Sequence, residues 1–479
     1  MTYEAVIGLE VHVHLRTKSK AFCGCSTEFG SPPNTQTCPV CLGFPGSLPV
    51  LNKQALDFAI LTGLALNCRV NEFTKFDRKN YFYPDLPKNY QISQFDLPVC
   101  LDGFLDIEVD GKIKRINIKR VHLEEDAGKL IHKENKSLVD FNRCGIPLLE
   151  IVSQPDMNSA QEAYEYLTLL KSTLEYLNIS DCDMEKGSLR CDANISIREK
   201  GQAGLGTKTE LKNMNSFKGV KDALEYEIKR QSEAVENGEK IIQDTRLWDV
   251  DKGKTFSMRS KEEAKDYRYF PEPDLPPFII SKEKEAEIKK TIPELPREKL
   301  ARFMRDYSLS AYDAKILVDT REVADFAEEC LKSFNKPDKK IMANWLIGPL
   351  SSIAAENKCS IAEVKIPGGI AGLNDLISRV IDGSISNLAG KTVLGEMVAT
   401  GKNAEVVIKE KNLAQISDTA SLEDIAGQVI GENAKSAADY KSGKAGAIMF
   451  LVGQVMKKSG GKANPKVVQE ILKRRLDNA

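Results

Sequence analysis

Residues 6–15, VIGLEVHVHL, alternate in a way that predicts a β-strand whose two faces differ in kind. Leu9, Val11, Val13 and Leu15 point one way and Gly8, Glu10, His12 and His14 the other, so one surface carries a carboxylate beside two imidazoles. Such a face suits a metal ion, and equally a wet outer surface of a half-buried strand. The habit returns further on. Residues 116–124 predict a second long strand that runs into Glu124, Glu125 and Asp126. Neighbours on a regular strand face opposite sides, so either one of the two glutamates looks at the surface or a bulge turns both toward it. In SLRCDANISIR, Leu189, Cys191, Ala193, Ile195 and Ile197 alternate with Arg190, Asp192, Asn194, Ser196 and Arg198, and TKTELKN adds Lys208, Glu210 and Lys212. Several antiparallel strands thus offer carboxylate, His, Arg and Lys from one face, a set that could hold Mg²⁺ and a polyphosphate.

Elsewhere the period is helical. Ser159 with Glu162 predicts a capped helix that carries Ala163, Leu167, Leu170, Leu174 and Leu177 along one side. From about Thr291 the helical pattern dominates, with Pro293 and Pro296 marking a hinge. A last helical pair is predicted by Ile448, Leu451, Val452, Val455 and Met456, a stop at Ser459-Gly460-Gly461 and a new start at Asn464-Pro465. The fold class is α+β, with an antiparallel β-rich part first and helical parts after it.

Composition changes this picture in few respects. A chain of 479 residues with 42% hydrophobic residues can bury several cores, and a net charge of −1 conceals local imbalance. The start MTYEAV lacks a basic, apolar leader, and the longest apolar run, residues 447–456, is too short for a bilayer. A cytoplasmic protein without membrane contact is expected, its eleven cysteines reduced and any cluster of them holding metal. Cys23-Gly-Cys25 and Cys38-Pro-Val-Cys41 are two thiolate hooks with the spacing of tetrahedral zinc, structural in kind because four thiolates leave no open position; unpaired buried cysteines or a redox pair are the plain alternatives.

Residues 75–96 hold six aromatics, including Tyr81 and Tyr83, among Lys75, Arg78, Lys79 and Lys88, whereas the whole chain is 7% aromatic. Rings beside cations suit stacking on bases and contact with phosphates, or a loop packed over a sheet. Residues 441–479 carry nine Lys or Arg, among them Lys441, Lys444, Lys457, Lys458 and Lys462, and two acids. That imbalance on a small helical module points to the phosphate backbone of RNA.

VIGLEVHVHL, PGSLPVLN, KFDRKNYFYPD, QISQFD, HLEEDAGK, GSLRCDANIS, ELKNMNSF, DYRYFPEPDLPP and FLVGQVMKKSGGKANP together resemble, from one end of the chain to the other, the B subunits of the bacterial tRNA-dependent amidotransferases. The resemblance implies a cradle-like kinase domain over 1–294, a helical domain over 295–402 and a tRNA-binding tail over 403–479. It also implies an ATP-dependent carbon–nitrogen ligase that converts misacylated Glu-tRNA(Gln), and Asp-tRNA(Asn) in many members, into the amide. Its partners would be an amidase A subunit and a small C subunit. The family's divalent-ion ligands fall on Glu10, His12, Glu124, Glu125, Glu185 and Asp192, with Glu10, His12, Glu125 and Asp192 expected to carry the chemistry. Zinc is a feature of some members and rests here on this chain's own cysteine spacing.

The chemistry can also be argued from reference properties. A glutamyl carboxylate with a pKa near 4.3 is already ionised at neutral pH, so attack on the γ-phosphoryl group of ATP needs metal and positioning but no general base. Lys79, Arg190 and Lys208 are candidates for the phosphate charge, with Tyr81 and Tyr83 beside them. No G-x-x-x-x-G-K-[ST] loop occurs, and no amidase signature or Cys–His pair, so ammonia is expected from another polypeptide. The rival reading is a zinc-containing tRNA carrier whose chemistry lies in a partner.

Overall fold

Strand β1 (Tyr3–His14) buries Leu9, Val11 and Val13 and is the central strand of a nine-stranded sheet. The computed structural model describes residues 3–260, 267–415, 419–444, 446–460 and 463–477, in two units, Met1–Arg297 and Glu298–Ala479. In the first unit the chain continues through α1 (Lys53–Ala65) and the short strands β2 (Arg69–Val70), β3 (Phe73–Thr74), β4 (Asp77–Asn80) and β5 (Tyr90–Ser93). A long hairpin of β6 (Cys100–Val109) and β7 (Lys112–Glu125) precedes a small one of β8 (Lys129–Lys133) and β9 (Lys136–Asp140), and then β10 (Pro147–Ser153). There follow α2 (Ala160–Tyr176), β11 (Leu189–Glu199), β12 (Thr209–Lys212), α3 (Phe217–Glu236), β13 (Asp244–Asp249), β14 (Lys254–Ser260), β15 (Phe270–Pro271) and β16 (Phe278–Ile279).

The large sheet has the order β14-β13-β12-β11-β1-β10-β7-β6-β2. Its neighbours are antiparallel except β12 and β13, whose parallel pairing is made possible by the crossover through α3. The apolar face of β1 and β11 meets Leu167, Leu170 and Leu174 of α2 and Val220, Ala223 and Leu224 of α3 in one core. With both helices on that side, the opposite face of the central strands is left to the polar residues. Ser159 caps α2 as its sequence predicts, accepting from the Glu162 N–H at 3.2 Å. The Glu162 carboxylate reaches one residue further back than a capping box requires, to the Asn158 N–H at 2.6 Å, where Lys114 also meets it.

The second unit is helical. Its helices Thr419–Glu432, Ala434–Lys441, Ala447–Lys458 and Pro465–Asp477 gather a separate apolar cluster around Leu422, Val429, Leu451, Val455, Val468 and Leu472. Ahead of them, the helix Ala404–Glu410 buries Ala404, Val407 and Ile408 and packs on the helix Asn387–Thr400. The expected break at 402/403 therefore falls between two helices in contact.

Candidate active site and cysteine centre

Cross-strand register decides what the polar face of β1 can meet. Across β10, His12 lies opposite Glu150, and across β7, Glu150 lies opposite His122. On the other side, Glu10 lies opposite Asp192 and His12 opposite Arg190 of β11. Residues directly opposite share a face, so Glu10, His12, Glu150, His122, Glu124, Arg190 and Asp192 stand on one surface.

The side chains converge there. His12 Nε2 lies 3.4 Å from Glu150 Oε2, 3.7 Å from Glu10 Oε1 and 3.8 Å from Glu124 Oε1. His122 Nε2 lies 3.4 Å from Glu150 Oε2 and 3.6 Å from Glu124 Oε2. Glu10, His12 and Glu150 form one set, and His122, Glu124 and Glu150 another, in which the ligand atoms all lie within 4.8 Å of one another. Arg120 Nη2 reaches Glu150 Oε1 at 3.1 Å, and the Ser93 hydroxyl donates to Glu124 Oε2 at 2.9 Å.

Burial and neighbouring charge compete on this face. Burial pushes the Glu10 carboxyl above its usual range, with Glu150 adding repulsion. For Glu150 burial acts in the same sense, but His122 and His12 outweigh it and hold the carboxyl well below the ordinary value. Burial disfavours the charged His122, which Glu150 and Glu124 nevertheless raise to about 9. Lys79, on β4, is likewise raised by Glu124 and Glu150 against the effect of burial, and its Nζ lies 5.3 Å from the Tyr267 ring centre. Three convergent carboxylates are hard oxygen donors of the kind Mg²⁺ takes, and the buried His122 Nδ1 has no hydrogen-bond partner.

Several expected members stand elsewhere. Glu125 does not join the set. The register of β7 with β10 runs unbroken from Glu125 to Arg120, the irregularity coming at Val152/Ser153, so no bulge turns both glutamates inward. Glu125 instead accepts from the Ile92 N–H at 2.9 Å and forms a buried pair with Lys88. Glu185 is exposed in the turn before β11, away from the two sets. Asp192 faces Glu10 but is paired with Lys212. Arg190 faces His12 but turns to Asp126 Oδ1 at 3.0 Å, an aspartate that also holds His14 Nε2 at 2.6 Å and Arg143 Nε at 3.4 Å. Lys208 is exposed ahead of β12, and Lys212 stands at the site edge in its place. Tyr81 packs 5.9 Å from Tyr267, ring centre to ring centre, whereas Tyr83 is exposed on its loop.

Glu150 and His122 are the residues that strand reading missed. Both left a signal: Glu150 is the lone charge in the apolar run PLLEIVS, and His122 precedes Glu124 by two positions and so shares its face. Tyr267 and Tyr269 left a weaker one, because they enter on the segment just ahead of β15, far along the chain; Tyr269 stacks on Phe95 at 4.4 Å.

The four sulfurs of Cys23, Cys25, Cys38 and Cys41 lie within 4.8 Å of one another. Hydrogen bonding from Cys23 lowers the Cys41 thiol to about 4, while burial raises Cys25 to about 11. The buried Lys20 places its Nζ 3.7 Å from Cys41 Sγ. In the tail, Lys444 pairs with Asp439 at 2.9 Å and Lys458 with Glu432 at 2.5 Å. Lys441, Lys457, Lys466 and Lys473 are exposed, and Lys462 lies outside the described residues. The basic excess is thus partly neutralised by acids from the preceding helices.

A sheet face that gathers three carboxylates, two imidazoles and flanking Lys and Arg side chains offers the donor set that a divalent cation and phosphate groups would take, on a scaffold without the phosphate-loop sequence. Comparison with known proteins gives the family. Residues 5–286 match the GatB/GatE catalytic domain and residues 325–476 the GatB domain. The chain is 55% identical over 477 residues to the B subunit of the aspartyl/glutamyl-tRNA(Asn/Gln) amidotransferase from a Thermoanaerobacter species, covering 99% of this chain and 100% of that one. The corresponding B subunit from Carboxydothermus hydrogenoformans is 56% identical over 480 residues, 99% of each chain, and that from Brevibacillus brevis 53% over 476 residues, 98% of this chain and 99% of its own. The chain belongs to the GatB family, the B subunits of the tRNA-dependent amidotransferases. Members of this family are parts of ATP-dependent, ligase-type enzymes built from several subunits.

Proposed function

We propose that this chain activates the side-chain carboxylate of a misacylated tRNA with ATP and then amidates it, acting on Glu-tRNA(Gln) and on Asp-tRNA(Asn). The observation that supports this most is the convergence of Glu10, Glu124 and Glu150 on His12, an arrangement of like charges that calls for a divalent cation. Glu10, His12, Glu124 and Glu150 would hold Mg²⁺, with Asp192 at the edge; it would neutralise the phosphate oxygens of ATP so that an anionic nucleophile can approach. Lys79 and Arg120 would face the transferred phosphoryl group, with the Tyr267 ring beside Lys79 and Tyr81 packed on Tyr267. The substrate carboxylate oxygen bonds to the γ-phosphorus as the bond to the bridging oxygen breaks and ADP leaves. Ammonia then adds to the carbonyl carbon, loses a proton and expels phosphate. The ammonia would come from an amidase A subunit, with a small C subunit completing the complex. No described helix is long and apolar enough to cross a membrane, in keeping with work on tRNA in the cytoplasm.

The assembled complex, given ATP and Glu-tRNA(Gln) with hydroxylamine in place of ammonia, should form the γ-hydroxamate and one ADP per trapped molecule. Hydroxamate formation independent of ATP would defeat the reading. The tail offers a second measurement. Replacing Lys441, Lys457, Lys466 and Lys473 with Gln should weaken charged-tRNA binding and lower its log–log salt slope by up to about 3–4 units, because released counterions scale with phosphate contacts. An unchanged slope would make those lysines ordinary solvated surface. We also propose that the four cysteines hold one structural zinc, since four sulfurs within 4.8 Å of one another match its coordination.

A further inference from the structure

The metal-type face of β1 does not end at His12. Two residues on, about 7 Å along the strand, His14 enters the wall of an open cavity of 540 Å³, inside the range of about 300–1,000 Å³ usual for small-molecule sites. Its walls come from four places: the end of β1, the loop between the two cysteine hooks, the segment joining β9 to β10, and the turn that carries Glu185. The second and third of these are tied to each other. The Gln36 N–H donates to Asn142 Oδ1 at 2.8 Å, the Asn142 side chain donates to Pro32 O at 2.7 Å, and the Asn34 N–H donates to Asp140 Oδ1 at 3.0 Å. On the floor side, the Asp126 carboxylate is locked by His14, Arg143 and Arg190.

Two side chains of this cavity lack an evident structural task. Phe29 is 73% exposed, although it belongs to a loop that the cysteine cluster holds in place. Glu185 is exposed on the opposing turn and lines the same cavity, apart from the metal-type sets. A free aromatic face is what a nucleobase stacks on, and a carboxylate is the group that accepts from ribose hydroxyls. Arg16, Lys129 and Lys186 at the margin suit the phosphates attached to such a nucleoside.

We infer that this cavity receives an adenosine, its base on Phe29 and its ribose on Glu185, and so delivers the attached reactive group to Glu10, His12, Glu124 and Glu150. The inference rests on the proposed function, in which both substrates bring an adenosine to the reaction: ATP its own, and the charged tRNA the 3′-terminal one that bears the ester. The cysteine centre then has a task beyond folding, because it carries one wall of the nucleoside site.

The test uses the assembled complex with Phe29→Ala and Glu185→Gln, both at exposed positions, and three probes: Mg-ATP, inorganic tripolyphosphate with Mg²⁺, and Glu-tRNA(Gln). Loss of base stacking should cost roughly ten- to a hundredfold in affinity. If Mg-ATP weakens by that factor while tripolyphosphate binds as before, the adenosine is that of ATP, and 2′-deoxy-ATP should be insensitive to Glu185→Gln. If Mg-ATP is unaffected while KM for Glu-tRNA(Gln) rises at constant kcat, the adenosine is the tRNA terminus. Unchanged binding of both substrates in both variants overturns the inference and leaves the metal-site reading intact. Failure of the parent complex to bind either Mg-ATP or tripolyphosphate overturns that reading and this inference with it.

Discussion

Glu150→Gln should lower ammonia-dependent formation of Gln-tRNA by about a hundredfold to a thousandfold, with Glu124→Gln close behind. Glu150 is the residue common to both side-chain sets, in reach of His12, His122 and Arg120 at once, so removing its charge disturbs both sets together. Loss of a charged ligand to a catalytic cation is worth several kcal/mol of transition-state stabilisation, and each 1.36 kcal/mol is about tenfold in rate. The measurement uses the assembled complex with ammonium chloride as nitrogen donor, which bypasses the amidase partner. Both variants should bind charged tRNA as the parent does and should need more Mg²⁺ for half-maximal rate. Parental rates with ATP consumed in step would place phosphoryl transfer elsewhere and favour the carrier reading.

Cys38→Ser should remove zinc and destabilise the first unit by several kcal/mol, on the order of 4, because a closed thiolate site contributes its binding energy to folding. The cost is large here because the hooks organise more than themselves: Cys41 lies against the buried Lys20, and Cys144 donates to the Cys41 carbonyl at 3.4 Å. Without an ion, four sulfurs within 4.8 Å of one another are left as a cluster of thiols and thiolate in a partly buried knuckle. Metal analysis and thermal unfolding of parent and variant decide it. Absence of zinc from protein purified without chelator, or zinc loss with no fall in Tm, would exclude the structural role.

The local patterns were legible in residues close in sequence. The period of two in VIGLEVHVHL placed Glu10 and His12 on one face and Leu9, Val11 and Val13 in the core, where the structure has them. The spacing of Cys23, Cys25, Cys38 and Cys41 brought the sulfurs together because each hook spans only a few residues. The apolar stripe of α2 and its Ser159 cap follow from interactions within one or two turns. Face parity also posed the question of Glu124 and Glu125 correctly, without being able to answer it.

What parity leaves open is which strand lies next to which, and at what register. Glu150 and His122 enter the site because β10 lies between β1 and β7 with His12, Glu150 and His122 in line, a match that joins residues far apart along the chain. The same register sends Glu125 through the sheet to Lys88, while Asp126, just past the end of β7, takes Arg190, and Lys212 of the neighbouring β12 takes Asp192. A strand's own residues determine the two faces it has, since the side-chain period is a property of the backbone. Its neighbours are chosen by burial and hydrogen bonding summed over the whole sheet, so the membership of a site built across several strands exists only once the sheet has formed.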